Sequence, residues 1–194
     1  MTAVKGSEDA EAALLARYAA GEAAAARILA HQMTPRIYAH AMRVLNDTAE
    51  AEDVVQDALM RLWRIAPKWR SSEAKVTTWL YRVVSNLCTD RLRKRRELAL
   101  DDVHEPADDA ASADALLQQG QRVEALQAAL LQLPDRQRQA VVLRHIEGLS
   151  NPEIAQILDV GVEAVESLTA RGKRALKQAL RARQEALGYH DDTG

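Results

Sequence analysis

Residues 77–96 read "TTWLYRVVSNLCTDRLRKRR", and they join two patterns that usually stay apart. The first part has a helical rhythm. With Val76 just before it, the apolar positions are Trp79, Leu80, Val83, Val84, Leu87, Cys88 and Leu92. That spacing is an inward stripe of period 3.6. The opposite face carries Thr78, Arg82, Ser85, Asn86, Thr89 and Arg93. The last six residues hold five cations, Arg91, Arg93, Lys94, Arg95 and Arg96, in a chain whose formal charge is only −2. One helix therefore runs from a core into a cationic end.

The rest of the chain fits a helical frame around that segment. Its 194 residues allow one ordinary domain or two small ones. Hydrophobic residues make up 47%, enough for a packed core, while aromatics are 4% and Phe is absent. Ala, Leu, Arg, Glu and Gln are good helix formers, and Val and Ile never form the alternating runs of strands. The fold class expected is all-α. Cys88 is the single cysteine, which excludes an internal disulfide and a thiolate metal cluster and suits a small buried hydrophobe. The start "MTAVKGSEDAEAALL" lacks a cationic region followed by an apolar run. No apolar run nears the roughly 20 residues of a membrane span. A soluble, cytoplasmic protein without membrane insertion is expected.

Charge divides the chain into blocks. Residues 1–100 hold 16 Lys+Arg against 12 Asp+Glu, residues 101–125 hold one against seven, and residues 126–194 hold nine of each. This asymmetry suggests nucleic-acid contact in one block and a linker in another. Helices are expected over about Glu8–Ala30, Thr34–Leu45, Ala49–Ile65 and Lys75–Glu97. Asp47 and Glu50 have the spacing of a capping box, and Pro67 closes the third helix. "LALDDVHEPADDAASAD" reads as a flexible acidic linker. Beyond it, "ALLQQGQRVEALQAALLQL" is an amphipathic helix. In "LRHIEGLSNPEIAQILDVGVEAVESLTARGKRAL", Gly148 ends a helix, and Ser150 and Glu153 form a second capping box. Pro152 sits in the first turn, where its missing N–H costs nothing. A tight turn with Gly161 leads into a longer helix from about Val162. Short helix, turn and longer helix with a basic end is the helix-turn-helix pattern. An ordinary helical hairpin would share the pattern but would not need "RGKRALK".

No catalytic constellation stands out. His31, His40, His104, His145 and His190 lack metal-ligand spacing, and no phosphate loop or nucleophile elbow appears. Neither an enzyme, a metal nor a cofactor is expected. The basic run can neutralise phosphates and release counterions, beyond the one or two cations that favour a helix C-terminus. Phosphates carry no sequence, so readout needs neighbours. Asn86 can donate and accept at a base edge, or be an ordinary surface amide. The polar loop "WRSSEAKV" could hold an unstacked base. In "AEDVVQDALMRLWR", Val55, Ala58, Leu59 and Leu62 point inward, and Glu52, Asp53, Gln56, Asp57 and Met60 point outward. An acidic face with an exposed Met suits a basic protein partner with an apolar spot; a solvated face is the plainer reading.

Taken together, these stretches resemble a bacterial extracytoplasmic-function (ECF) sigma factor, the minimal kind with two domains. "AEDVVQDALMRLWR" is similar to the family's polymerase-binding helix and "TTWLYRVVSNLCTDRLRKRR" to its minus-ten helix. "LPDRQRQAVVLRHIEGLSNPEIAQILDVGVEAVESLTARGKRAL" is similar to its minus-35 helix-turn-helix. The resemblance spans about residues 10–184. It implies a region 2 bundle over residues 8–97, an acidic linker over 98–113 and a region 4 unit over 114–187. The partners implied are core RNA polymerase (its largest-subunit coiled coil and its flap), promoter DNA and a cognate anti-sigma factor. Glu52, Asp53, Gln56, Asp57 and Met60 match the coiled-coil contact. The loop with Ser71, Ser72 and Lys75, together with Arg82, Asn86 and Thr89, matches the surface that captures a flipped non-template base. Arg93, Lys94, Arg95 and Arg96 match the basic end that meets duplex DNA. Glu166, Ser167, Ala170, Arg171, Lys173 and Arg174 match the minus-35 contacts. The linker matches a segment that threads the polymerase cleft.

This chain departs from the family pattern at Glu163, Glu166 and Leu168, the last standing where relatives often carry Arg. Glu166 could accept from a cytosine amino group or repel phosphate. Two other classes share some of these features: a stand-alone helix-turn-helix regulator, and a helical adaptor without DNA contact.

Overall fold

The computed structural model describes residues 2–70, 75–101 and 115–186. Eight α-helices make up most of these residues: α1 (Thr2–Ala19), α2 (Ala23–Leu45), α3 (Thr48–Ile65), α4 (Val76–Asp101), α5 (Ala115–Leu131), α6 (Asp135–Val141), α7 (Asn151–Leu158) and α8 (Val162–Ala186). The all-α expectation holds.

The first four helices surround one core. Leu15 of α1, Leu29, Ile37 and Val44 of α2, Val54 and Leu62 of α3, and Leu80, Val84 and Cys88 of α4 are buried together. Burial pushes the Cys88 thiol up to about 12, so it behaves as an apolar group. Tyr18 and Trp63 close one side edge to face, 5.0 Å apart.

The first two helix boundaries differ from the expectation. The break falls at Ala20–Glu22, not after Ala30, because Gly21 takes φ +99 there, a conformation that suits glycine. Pro35 lies inside α2 without ending it. It removes one backbone bond, a cost of about 3 kcal/mol in an isolated helix. The buried stripe Leu29, Met33, Ile37, Ala41 and Val44 runs through it and offsets that cost. Asp47 caps α3 by accepting from the Glu50 N–H at 2.9 Å. The Glu50 carboxylate turns instead to Arg95 of α4. Helix α4 continues through Asp101, four residues into the expected linker; residues 102–114 lie outside the described part.

Helices α5–α8 form a second unit. Leu130, Leu133, Val141 and Val142 make one cluster, and Leu143, Ile154, Ile157 and Val165 belong to another. Helix α6 passes through a π-type turn at Val142–Ile146, and Gly148 at φ +73 ends that segment. The Ser150/Glu153 capping box opens α7 as expected, with Pro152 in its first turn. In the turn before α8 the left-handed residue is Asp159, φ 53, rather than Gly161. Asp is among the few residues that tolerate this region.

Gly172 has a packing role. A Cβ there would lie 2.5 Å from Val141 Cγ2 and 3.2 Å from the Gln137 carbonyl oxygen. Helices α6 and α8 thus approach over a residue with no side chain. Gly172→Leu should destabilise this unit by about 3 kcal/mol or more through overpacking, read as an early unfolding transition. An unchanged transition would show that α6 can move away at little cost.

Candidate functional site

Three exposed faces and one covered face matter. The first is on α3. Residues 51–62 bury Ala51, Val54, Val55, Ala58 and Leu62 and expose Glu52, Asp53, Gln56, Asp57 and Met60. Met60 is 55% exposed and places an apolar spot among the acidic side chains. Arg91 of α4 reaches Asp53 at 3.4 Å, so the acidic face borders the basic end of α4.

The second face is on α4, whose inner side is pinned by the core. Arg82 and Asn86 are exposed. Ser71 and Ser72 lie outside the described residues. Lys75, just before the helix, pairs with Glu153 of α7 at 2.9 Å. Thr89 donates to the Ser85 carbonyl and accepts from Gln139 of α6 at 3.0 Å.

The cationic run is partly engaged. Arg93 bonds to Asp90 at 3.1 Å. Arg96 reaches Asp135 at 2.8 Å, and Lys94 is exposed. Arg95 is half-buried: it donates to the Leu45 carbonyl at 3.0 Å and pairs with Asp47 at 3.1 Å and Glu50 at 2.8 Å. It thus satisfies the carboxyl end of α2 and ties α4 to the start of α3. Arg95→Ala should lower the stability without any DNA present by about 1 kcal/mol, a drop of roughly 2–4 °C in melting temperature. An unchanged melting temperature would mean the strut carries no load.

The third face is on α8. Glu163, Glu166, Ser167, Ala170, Arg171, Lys173 and Arg174 are all exposed, while Val165, Thr169 and Gly172 point inward. Glu166 is approached by the Asn151 amide at 3.4 Å, a contact that holds it beside the α7 N-terminus.

The covered face was not visible in the sequence pattern. Thr78 and Ser85, expected on the polar side of α4, are 5% and 1% exposed, because α7 packs across that side of α4. Tyr81 lies between them. It belongs to the cluster of Ile154, Ile157 and Val165, and its hydroxyl donates to Glu147 at 2.6 Å. Burial first, then Glu147, raises its pKa. His40 stacks edge-on to Tyr81 at 5.4 Å and meets Ser85 Oγ at 3.1 Å. Burial, reinforced by nearby Arg43, pushes His40 down to about 3.

His40 is therefore neutral when folded, and an unfolded histidine titrates near 6.5. Between those values only the unfolded chain takes up the proton. Stability should fall as pH drops below about 6.5, with a contribution of up to about 1.4 kcal/mol per pH unit from this group. Urea unfolding at several pH values should show a shallower slope in His40→Gln. Parallel slopes would exclude His40 as the source.

The comparisons with known proteins meet this geometry. The sequence profile described as Sigma-70 region 2 matches residues 29–97, and that described as Sigma-70, region 4 matches residues 123–176. The ECF RNA polymerase sigma factor SigM of Mycobacterium tuberculosis is 33% identical over 176 residues, covering 89% of this chain and 86% of that protein. The chain belongs to the ECF sigma factors. It is a transcription initiation factor that directs RNA polymerase to promoters. A second relative, SigW of Bacillus subtilis, is 32% identical over 157 residues, covering 75% of this sigma factor and 83% of that one. Among solved structures, CnrH in complex with the cytosolic domain of CnrY matches with a TM-score of 0.67 at 26% identity, over 89% of this chain and 98% of that one. Sigma factor RpoE of Bartonella quintana, solved with the anti-sigma factor NepR, shares the fold with a TM-score of 0.64 at 24% identity, over 77% and 92%. Among the described residues, no helix is long and apolar enough to cross a membrane.

Sequence reasoning missed Tyr81, Glu147 and Arg138. Arg138 is 6% exposed and donates to the Leu131 and Leu133 carbonyls and to Val44 of α2. The available signal was Tyr81 itself, a large ring three residues from Thr78 on a face otherwise read as polar.

Proposed function

We propose that this sigma factor docks on the coiled coil of the polymerase's largest subunit through Glu52, Asp53, Gln56, Asp57 and Met60. It reads the minus-ten element with α4 and the minus-35 element with α8. The observation that carries this reading is an exposed acidic face on α3 that meets the basic end of α4 through the Arg91–Asp53 pair, with Arg82 and Asn86 exposed farther along the same helix. Such an arrangement places a polymerase contact and a base-reading surface on one rigid bundle. Asn86 reads a base in the opened strand, with Ser71, Ser72, Lys75, Arg82 and Thr89 around it. Arg93, Lys94 and Arg96 meet phosphates upstream, and Arg95 adds charge there while bracing the helix.

On α8, Ser167, Ala170 and Arg171 face bases and phosphates, Lys173 and Arg174 grip the backbone, and Glu166 selects a base amino group. Residues 8–97 and 114–187 act as the two functional units, with 98–113 as an acidic linker inside the polymerase cleft. The flap holds the second unit. The protein works in the cytoplasm and catalyses no reaction itself, the chemistry being the polymerase's. A cognate anti-sigma factor is a further partner, as for the relatives solved with NepR and CnrY.

Duplex binding tests this reading against a stand-alone regulator. A protein of formal charge −2 lacks the field for tight non-specific DNA binding. It should bind promoter duplex poorly alone and well with core polymerase. A sub-micromolar, sequence-specific shift by the free protein at physiological salt would favour the regulator instead.

A further inference from the structure

Glu11 is a carboxylate where the pattern of α1 asks for an apolar side chain. Glu11, Leu15 and Tyr18 have the spacing of one helix face, and Leu15 and Tyr18 pack in the core of the first bundle. Glu11 itself is only 3% exposed. Burying a charge is costly unless partners hold it, and an apolar residue would cost less there. The partner is Thr77 of α4, whose hydroxyl donates to the Glu11 carboxylate.

That bond falls at the start of the base-reading helix. Helix α4 begins at Val76, and the Trp79 N–H bonds to the Lys75 carbonyl. The N–H groups before Trp79 have no helical acceptors, and this end carries partial positive charge. Lys75 is not a capping residue type. Glu11 brings an anion to this end from another helix. Thr77 also lies between Lys75 and Arg82, both assigned above to the base-reading surface. Along the helix axis it is about 7.5 Å from Arg82 and about 13.5 Å from Asn86.

The remaining contacts near this end are apolar. Val76 and Leu80 enter the core, and Trp79 meets Trp69 edge to face at 6.0 Å. Such burial is non-directional and does not by itself fix how a helix is rotated. Directional bonds hold α4 at both ends. Arg95 ties its far part to the Leu45 carbonyl and Glu50, and Glu11 ties its first turn to α1. A recognition surface needs its side chains held within about 0.5 Å by such supporting bonds.

We propose, on the reading of α4 as the minus-ten helix, that Glu11 is a positioning residue for promoter opening. Through Thr77 it fixes the rotation and register of the first turns of α4. Helix α1, which lies ahead of the residues matched by the region 2 profile, thereby belongs to the base-reading machinery.

The test uses holoenzyme and a promoter with 2-aminopurine in the minus-ten element, whose fluorescence reports strand opening. Core affinity and circular dichroism are measured alongside. At saturating holoenzyme, Glu11→Ala and Thr77→Val should each slow opening roughly 10-fold or more, with core affinity unchanged. Glu11→Gln keeps an oxygen that accepts from Thr77 and should recover most of the rate. The Glu11→Ala/Thr77→Val double variant should open no more slowly than the slower single variant, because both changes remove the same bond. Tyr18→Leu loosens α1 from Trp63 and leaves the Glu11–Thr77 bond in place, so it should open promoters at the wild-type rate. Unchanged opening in both single variants, or additive losses in the double, overturns the positioning role. Slowing by Tyr18→Leu equal to that of Glu11→Ala also overturns it and makes Glu11 a residue of general stability. Lost core affinity with opening unchanged overturns it as well and assigns α1 to polymerase docking. Wild-type holoenzyme that opens no promoter overturns the promoter-reading function itself, and this role with it.

Discussion

Reversal of Asp53 and Asp57 to lysine should abolish stable co-elution with core RNA polymerase and leave the fold intact. Both side chains are exposed on α3, and the core residues of that helix, Val54, Ala58 and Leu62, point the other way. The Arg91–Asp53 pair, at 3.4 Å with Asp53 65% exposed, adds little to stability because solvent screens it. Against a basic coiled coil the same change replaces two attractions with two like-charge contacts, a penalty of several kcal/mol. Affinity should therefore drop by roughly 100-fold or more. Unchanged co-elution, with a normal thermal transition, would remove α3 from the polymerase contact.

Asn86→Ala should relax the minus-ten preference and slow promoter opening. Asn86 is exposed on a helix whose opposite side is held by Leu80, Val84, Leu87 and Cys88. A rigidly mounted amide can discriminate bases by about 1–3 kcal/mol per good contact, or roughly 5–150-fold between promoters. Lys94, exposed on the basic end, should behave differently. Lys94→Ala should weaken all promoters alike and reduce the salt dependence by roughly one ion's worth. The check is transcription from a panel of minus-ten variants at several salt concentrations. Equal loss on every promoter for Asn86→Ala, with reordering for Lys94→Ala, would reverse these roles.

Much of the fold was legible because short-range chemistry determines it. Asp47 and the Ser150/Glu153 pair mark helix starts, and the stripe from Val76 to Leu92 marks a core-facing helix. The exposed acidic face of α3 followed from the same periodicity. The boundary between α1 and α2 was misread for a physical reason. Pro35 is a strong local stop signal, yet core packing on both sides of it carries the helix through, while Gly21 makes the turn instead.

What local patterns cannot encode is which surfaces meet across the chain. Thr78 and Ser85 look solvated until α7 covers them. Tyr81 looks like an interruption of a polar face until Glu147 and the helix-turn-helix cluster enclose it. Arg138 stands in no motif and Arg95 in a run matched to duplex DNA, yet both end at carbonyls of α2, more than 40 residues away in sequence. Neither partner is marked by spacing, because the bond is made to backbone that any residue would supply.

Run-off transcription with purified core polymerase tests the central claim most directly, on a promoter panel with the wild-type chain, Asp53→Lys/Asp57→Lys and Asn86→Ala compared side by side. Core enzyme alone should give no promoter-specific product, and the wild-type chain should direct initiation at a subset of promoters. The double reversal should remove all product, and Asn86→Ala should widen or abolish the subset. Core enzyme that starts at the same promoters without this chain, or with the double reversal as well as with the wild type, would contradict that claim.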